Sequence, residues 1–188
     1  MPFFDYSVTH RTPWYLTNET LKLVSMSTSV KTTVEIEKNI AEVWDVIGNQ
    51  FGHVHLWSSN FLESKPGGAQ KFPGLDYSNR ITTTERGKTI QELDTFDSAN
   101  HSLSYHITTG LPEVAKNATA VWSLDEIDQN KTVATFNFSM EVKDFVPAEM
   151  ITKIQMGLTK SAIEFGKELK AYVETGKSIA TKYIILGN

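Results

Sequence analysis

The side chains whose types and spacing could do chemistry lie at three places in this sequence: the stretch FGHVHLWSSN (51–60), an arginine in YSNRITT (77–83), and the adjacent pair Tyr105 and His106. On a strand, His53 and His55 would project to one side and could share a metal ion. On a short helix, positions two apart diverge by about 200°, and no third ligand stands nearby, so no metal site is expected. His55 is then a candidate hydrogen-bonding group at a pocket rim, and His53 a solvent-facing or capping residue. Arg80 sits mid-strand. Facing inward, its guanidinium needs a partner, which a bound anionic oxygen can supply; facing outward, it pairs with Glu85 or Glu92. Tyr105 shares strand parity with Leu103 and Ile107, which makes it the inward residue and His106 the exposed one. The chain has no glycine-rich phosphate loop and no nucleophile motif of the Ser/His/Asp kind.

These groups need a scaffold, and the hydrophobic periods describe one. VKTTVEIE (30–37) alternates as a half-buried strand. Asn39 can cap a short helix carrying Ile40, Val43, Trp44 and Ile47 and ending at Gly48, and Phe51, Val54 and Trp57 recur every three residues as a second short helix. Strand-like runs follow at 60–65, 77–84, 89–97, 102–108, 116–127 and 132–142, divided by KPGG, ERGK, DSAN, GLP and DQNK. Repeated strands with tight connections predict an antiparallel meander. From Pro147, Ile151, Ile154, Leu158, Ala162, Phe165, Leu169 and Tyr172 form one helical stripe, with Gly176 as C-cap. A helix this long needs a broad apolar face, and a curved sheet of seven strands supplies it, an α+β arrangement. Gly157 and Gly166 inside the helix admit a ligand, allow bending, or simply permit close packing.

Bulk properties narrow the partners. With 188 residues and 40% hydrophobic content, the chain can bury one sizeable core. Its net charge of -4, with no basic run, argues against nucleic acid and anionic membrane surfaces, leaving small molecules or proteins. Absence of cysteine excludes disulfides and thiolate chemistry. No stretch approaches the ~20 apolar residues of a membrane span, and residues 1–30 contain no signal-like apolar run, so a cytoplasmic location is expected. Residues 1–29 read as an extension anchored by scattered aromatics, 30–176 as the domain, and 177–188, ending in YIILGN, as an apolar tail that docks on the domain or on a partner. A homodimer through these extensions is the association they would allow.

The order strand, two short helices, meander and long helix resembles the superfamily named for the major birch pollen allergen and the steroidogenic acute regulatory lipid-transfer domain. VWDVIGNQFGHVHLW (43–57), YHITTGLP (105–112) and ATAVWSL (118–124) resemble its polyketide cyclase/dehydrase branch. The resemblance implies a helix-grip fold over roughly residues 30–175, with a cavity between sheet and helix entered near the short helices and strand-connecting loops. Whether Trp44, Phe51, Trp57, Phe61, Phe96, Tyr105, Trp122, Phe136, Phe138 and Phe165 line that cavity or fill it stays open. Relatives often aim an arginine inward at the place of Arg80, and many carry Glu-x-Leu where this chain, anchored on Leu93 and Asp97, has Gln91; a register slip would bring back Glu92. A neutral amide cannot take a proton. The implied function is binding of a small hydrophobic or aromatic molecule by Trp57, Phe61, Arg80, Gln91, Tyr105, Trp122, Phe138, Leu158 and Phe165. An alternative is a cyclase, dehydratase or lyase without cofactor, in which Arg80 stabilises an enolate and His55 or Tyr105 moves a proton. A third reading is a protein-interaction module using the apolar tail.

Overall fold

The computed structural model describes residues 26–180; most of the expected N-terminal extension and the end of the tail lie outside them. Strand β1 (Ser27–Ile36) begins three residues before the alternation of 30–37 suggests, because Thr28, on the parity of Val30, is also buried. Helix α1 (Ile40–Trp44) starts where Asn39 Oδ1 accepts the Glu42 N–H at 2.9 Å. It widens into a π turn (Asp45–Asn49) and is followed by a 3-10 helix (Phe51–Leu56). The three-residue recurrence of Phe51, Val54 and Trp57 matches the three residues per turn of that helix, and all three are buried.

The meander comprises β2 (Glu63–Gly67), β3 (Asn79–Thr84), β4 (Gly87–Asp97), β5 (Ser102–Thr109), β6 (Ala115–Asp128) and β7 (Lys131–Val142). All pairings are antiparallel, in the order β1-β7-β6-β5-β4-β3-β2. β2 runs through Pro66, where the sequence suggests a turn. It is an edge strand, and a proline that cannot donate to a ladder is tolerated there.

Helix α2 (Ala148–Thr175) follows Pro147 and ends at Gly176, whose φ of 70° makes a left-handed cap. It lies on β1 and β7. At Gly166 a Cβ would stand 3.5 Å from Val34, an ordinary packing contact between helix and sheet; an open position is found instead at Gly157. Among the described residues no helix is long and apolar enough to cross a membrane.

The interior between sheet and helix has two halves. In one, aromatic rings interlock: Phe165 of α2 lies 4.6 Å from Trp57, 5.1 Å from Phe136 and 5.4 Å from Trp122 between ring centroids. Each such buried side chain contributes roughly 1.5–3 kcal/mol of transfer free energy. In the other half the inward positions of β6 are Ala118 and Ala120, and a space remains.

Candidate functional site

Arg80 points inward from β3 and is fully buried. Its Nε donates to Gln91 Oε1 at 2.7 Å and its Nη1 to the Phe51 carbonyl at 3.1 Å. The guanidinium carbon stands 4.0 Å from the Phe51 ring centroid, 5.0 Å from Tyr105, 5.1 Å from Trp122 and 5.4 Å from Phe61. Among the described residues no carboxylate pairs with it, and Nη2 has no protein acceptor. Burial lowers its pKa to about 10, with Tyr105, including a hydrogen bond to its hydroxyl, pulling the other way, so the charge persists at neutral pH. The indole N–H groups of Trp57 and Trp122 likewise lack a protein acceptor.

Gln91 is buried directly opposite Arg80 in the β3–β4 register. Since a guanidinium only donates, the Gln91 oxygen must face it, leaving the amide nitrogen as a donor, 3.3 Å from Thr89 Oγ1. Register shifts do occur in the β4–β5 ladder, at Ile90/Gln91 and Leu93/Thr95, yet Glu92 remains on the other face. It accepts from Asn79 Nδ2 at 3.1 Å and lies 4.0 Å from Lys71.

Tyr105 is buried, whereas His106 faces outward against Asp94 at 2.8 Å. Burial pushes the Tyr105 phenol up from its ordinary value, against the opposing pull of Arg80, and half-buried Tyr77 is raised the same way. A phenol raised on folding contributes stability that is complete below the unfolded value near 10 and is lost as pH climbs through the folded value. In denaturant titrations between roughly pH 8 and 11 the wild type should therefore lose more unfolding free energy above pH 10 than Tyr105→Phe does, while Arg80, lowered to about 10, contributes with the opposite sign in both proteins. Equal slopes in the two proteins would contradict this environment for Tyr105.

The space beside these groups is a cavity of about 120 Å³ lined by Gln91, Tyr105, Ile107, Ala118, Thr119, Ala120, Phe138, Ser139, Met140 and Leu158. Of the candidates drawn from sequence, Gln91, Tyr105, Phe138 and Leu158 line it, and Arg80 stands directly behind the first two. Trp57, Trp122 and Phe165 belong to the filled half instead, and Phe61 is half-buried at the edge of the Arg80 cage. His55 requires a correction. Its Nδ1 is 2.8 Å from Ser64 Oγ, and it borders a surface recess with Lys65, Ile81, Thr83 and Lys88 rather than the cavity. The 3-10 turn that sends Phe51, Val54 and Trp57 inward carries His55 toward β2, so it cannot move a proton within this cavity. Ala118, Ala120 and Met140 were missed by reasoning from reactive groups; strand parity with Trp122 and Phe138 identifies them, and the small size of Ala118 and Ala120 creates the space.

A family model described as polyketide cyclase/dehydrase and lipid transport matches residues 27–174. Solved structures share the fold at low identity. A START superfamily protein from Mycobacterium smegmatis is 16% identical, with 79% of this chain and 99% of that chain covered and a TM-score of 0.63. The Zhui aromatase/cyclase from Streptomyces sp. R1128 is 11% identical, covering 82% and 100%, with a TM-score of 0.64. The protein XoxI from Bacillus cereus is 18% identical, covering 78% and 95%, with a TM-score of 0.61. No curated relative matches the chain by sequence.

Proposed function

Because the chain belongs to the polyketide cyclase/dehydrase and lipid transport family, we propose that its inner cavity binds a small hydrophobic or aromatic molecule whose oxygen-bearing end meets Gln91 and Tyr105. One observation carries this reading: a fully buried guanidinium without a carboxylate partner stands behind two donors at the wall of a ring-sized cavity. A buried cation is costly unless something compensates it, and an acceptor oxygen held by Gln91 and Tyr105 places negative charge on the cavity side of it. The volume of about 120 Å³ is of the order of the ~150 Å³ cavity known to take up benzene. Apolar burial on Ile107, Phe138 and Leu158 supplies the remaining affinity.

Benzoate and toluene test this directly, because they share a ring and differ in the oxygens. Calorimetric or native mass-spectrometric titration should show benzoate binding at least about tenfold more tightly, the size of one charge-assisted hydrogen bond. Tyr105→Phe and Gln91→Leu should each reduce benzoate affinity and leave toluene unchanged. Toluene binding as well as benzoate would defeat the reading.

A second reading, catalysis by the same pocket, is favoured by Tyr105 being held in its acid form beside a cation, an arrangement suited to protonating an enolate that Arg80 stabilises. It is the weaker of the two. None of the ten lining side chains is a carboxylate or an imidazole, which leaves proton abstraction without a base. Turnover of a substrate, lost in Tyr105→Phe while binding persists, is the result that would favour it.

A further inference from the structure

Next to the inner cavity lies an outer cleft of about 380 Å³, lined by Pro112 and Val114 from the β5–β6 connection, Met150, Ile154, Gly157 and Ser161 from α2, and Arg86 at the β3–β4 turn. Met140 and Leu158 belong to both linings, so these two side chains are the partition between cavity and cleft. Both are unbranched at Cβ, and methionine adapts readily to a neighbour's shape. Gly157, adjacent to the partition, has no atom within 4 Å of where its Cβ would be. Glycine is a poor helix former, and here it holds open the middle of α2 instead of permitting a close contact. The cleft rim carries Arg86 and Lys153, the latter in an exposed pair with Glu149 at 2.8 Å.

We infer that cavity and cleft form one two-compartment site, that its ligand is an elongated aromatic acid of two or more rings, and that Met140 and Leu158 determine which lengths are accepted. The inference rests on the inner-cavity reading above. The inner ring and its carboxylate occupy the cavity; the outer ring passes between Met140 and Leu158 and lies on Pro112, Val114, Ile154 and the open face at Gly157. The cavity alone falls short of the roughly 300–1,000 Å³ usual for small-molecule sites, and the two compartments together fall within that range.

The test compares benzoate with biphenyl-4-carboxylate, a rigid rod with the same acid group, on the full chain. The wild type should bind the biphenyl acid at least about tenfold more tightly, since a second buried ring adds apolar area. Gly157→Leu/Ser161→Leu fills the cleft from two successive turns, and leucine favours the helix, so loss of binding would not reflect unfolding. In that variant the biphenyl acid should fall to within about twofold of benzoate, while benzoate, which needs only the cavity, is unaffected. A wild-type protein that binds benzoate with no gain for the longer acid overturns this inference alone, as does a gain that survives in the double variant. Failure of both acids to bind overturns the inner-cavity reading, and this inference with it.

Discussion

Replacing Arg80 by methionine and Gln91 by leucine together is expected to give a protein about 1–3 kcal/mol more stable than the wild type whose preference for benzoate over toluene is reduced to what Tyr105 alone provides. The argument is one of competing magnitudes. Burying the guanidinium costs several kcal/mol, and no carboxylate repays it. What Arg80 gains is a 2.7 Å bond to Gln91, a 3.1 Å bond to the Phe51 carbonyl and four aromatic faces. Two hydrogen bonds involving a charged group and exposed-to-buried cation–π contacts recover a comparable amount at most. Methionine fills a similar volume against the same rings without a charge to desolvate. Changing Gln91 with it avoids stranding the amide oxygen, which would otherwise cost about 1–3 kcal/mol and mask the gain. Arg80→Met alone should therefore be close to neutral, and the double variant should exceed it. Denaturant unfolding gives the stabilities and titration with the two probes gives the selectivity. A double variant less stable than wild type by 2 kcal/mol or more would mean that Arg80 serves the fold and not a ligand.

Gly48→Ala should destabilise the protein by about 2–3 kcal/mol, lowering the melting temperature by roughly 4–12 °C. In an ordinary helix the substitution would gain about 1 kcal/mol from propensity. Here a Cβ would stand 2.4–2.6 Å from three atoms of the Trp44 indole, well inside any tolerated approach. Trp44 has little room to yield: it is buried and its ring lies 5.2 Å from Phe96 and 5.6 Å from His101. The π turn at Asp45–Asn49 folds the chain back under its own tryptophan, and only glycine leaves space for the ring. A double-mutant cycle decides the mechanism. With Trp44→Leu already present, Gly48→Ala should become neutral or mildly stabilising; persistence of the full loss would place the strain elsewhere.

Much of the scaffold was legible because local signals and tertiary demands agree. Asn39 caps its helix, and Gly176 terminates α2. The strands divide near the expected turns, while β1 and β2 extend beyond the periodic segments for reasons of burial and edge position. Tyr105 and Gln91 follow strand parity to the cavity wall. Alternation holds along β3 with the usual polarity inverted: Arg80 and Thr82 face inward and Ile81 faces the outer recess. A rule that sends apolar residues inside assigns that strand the wrong face, because the rings stabilising Arg80 come from Phe51, Tyr105 and Trp122, far away in sequence. His55 fails for a related reason: a bond to Ser64 of β2 decides its direction.

Residue periods and turn chemistry by themselves determined the order of elements, the helix-on-sheet architecture and the inward placement of Tyr105. Only the tertiary structure decided which aromatic residues fill the interior and where space is left. Volume is a sum over side chains from several strands and a helix: Trp57, Trp122, Phe136 and Phe165 close one half, and Ala118 and Ala120 leave the other open. No single segment encodes that difference, since a cavity exists only where bulky residues on one element meet small residues on another.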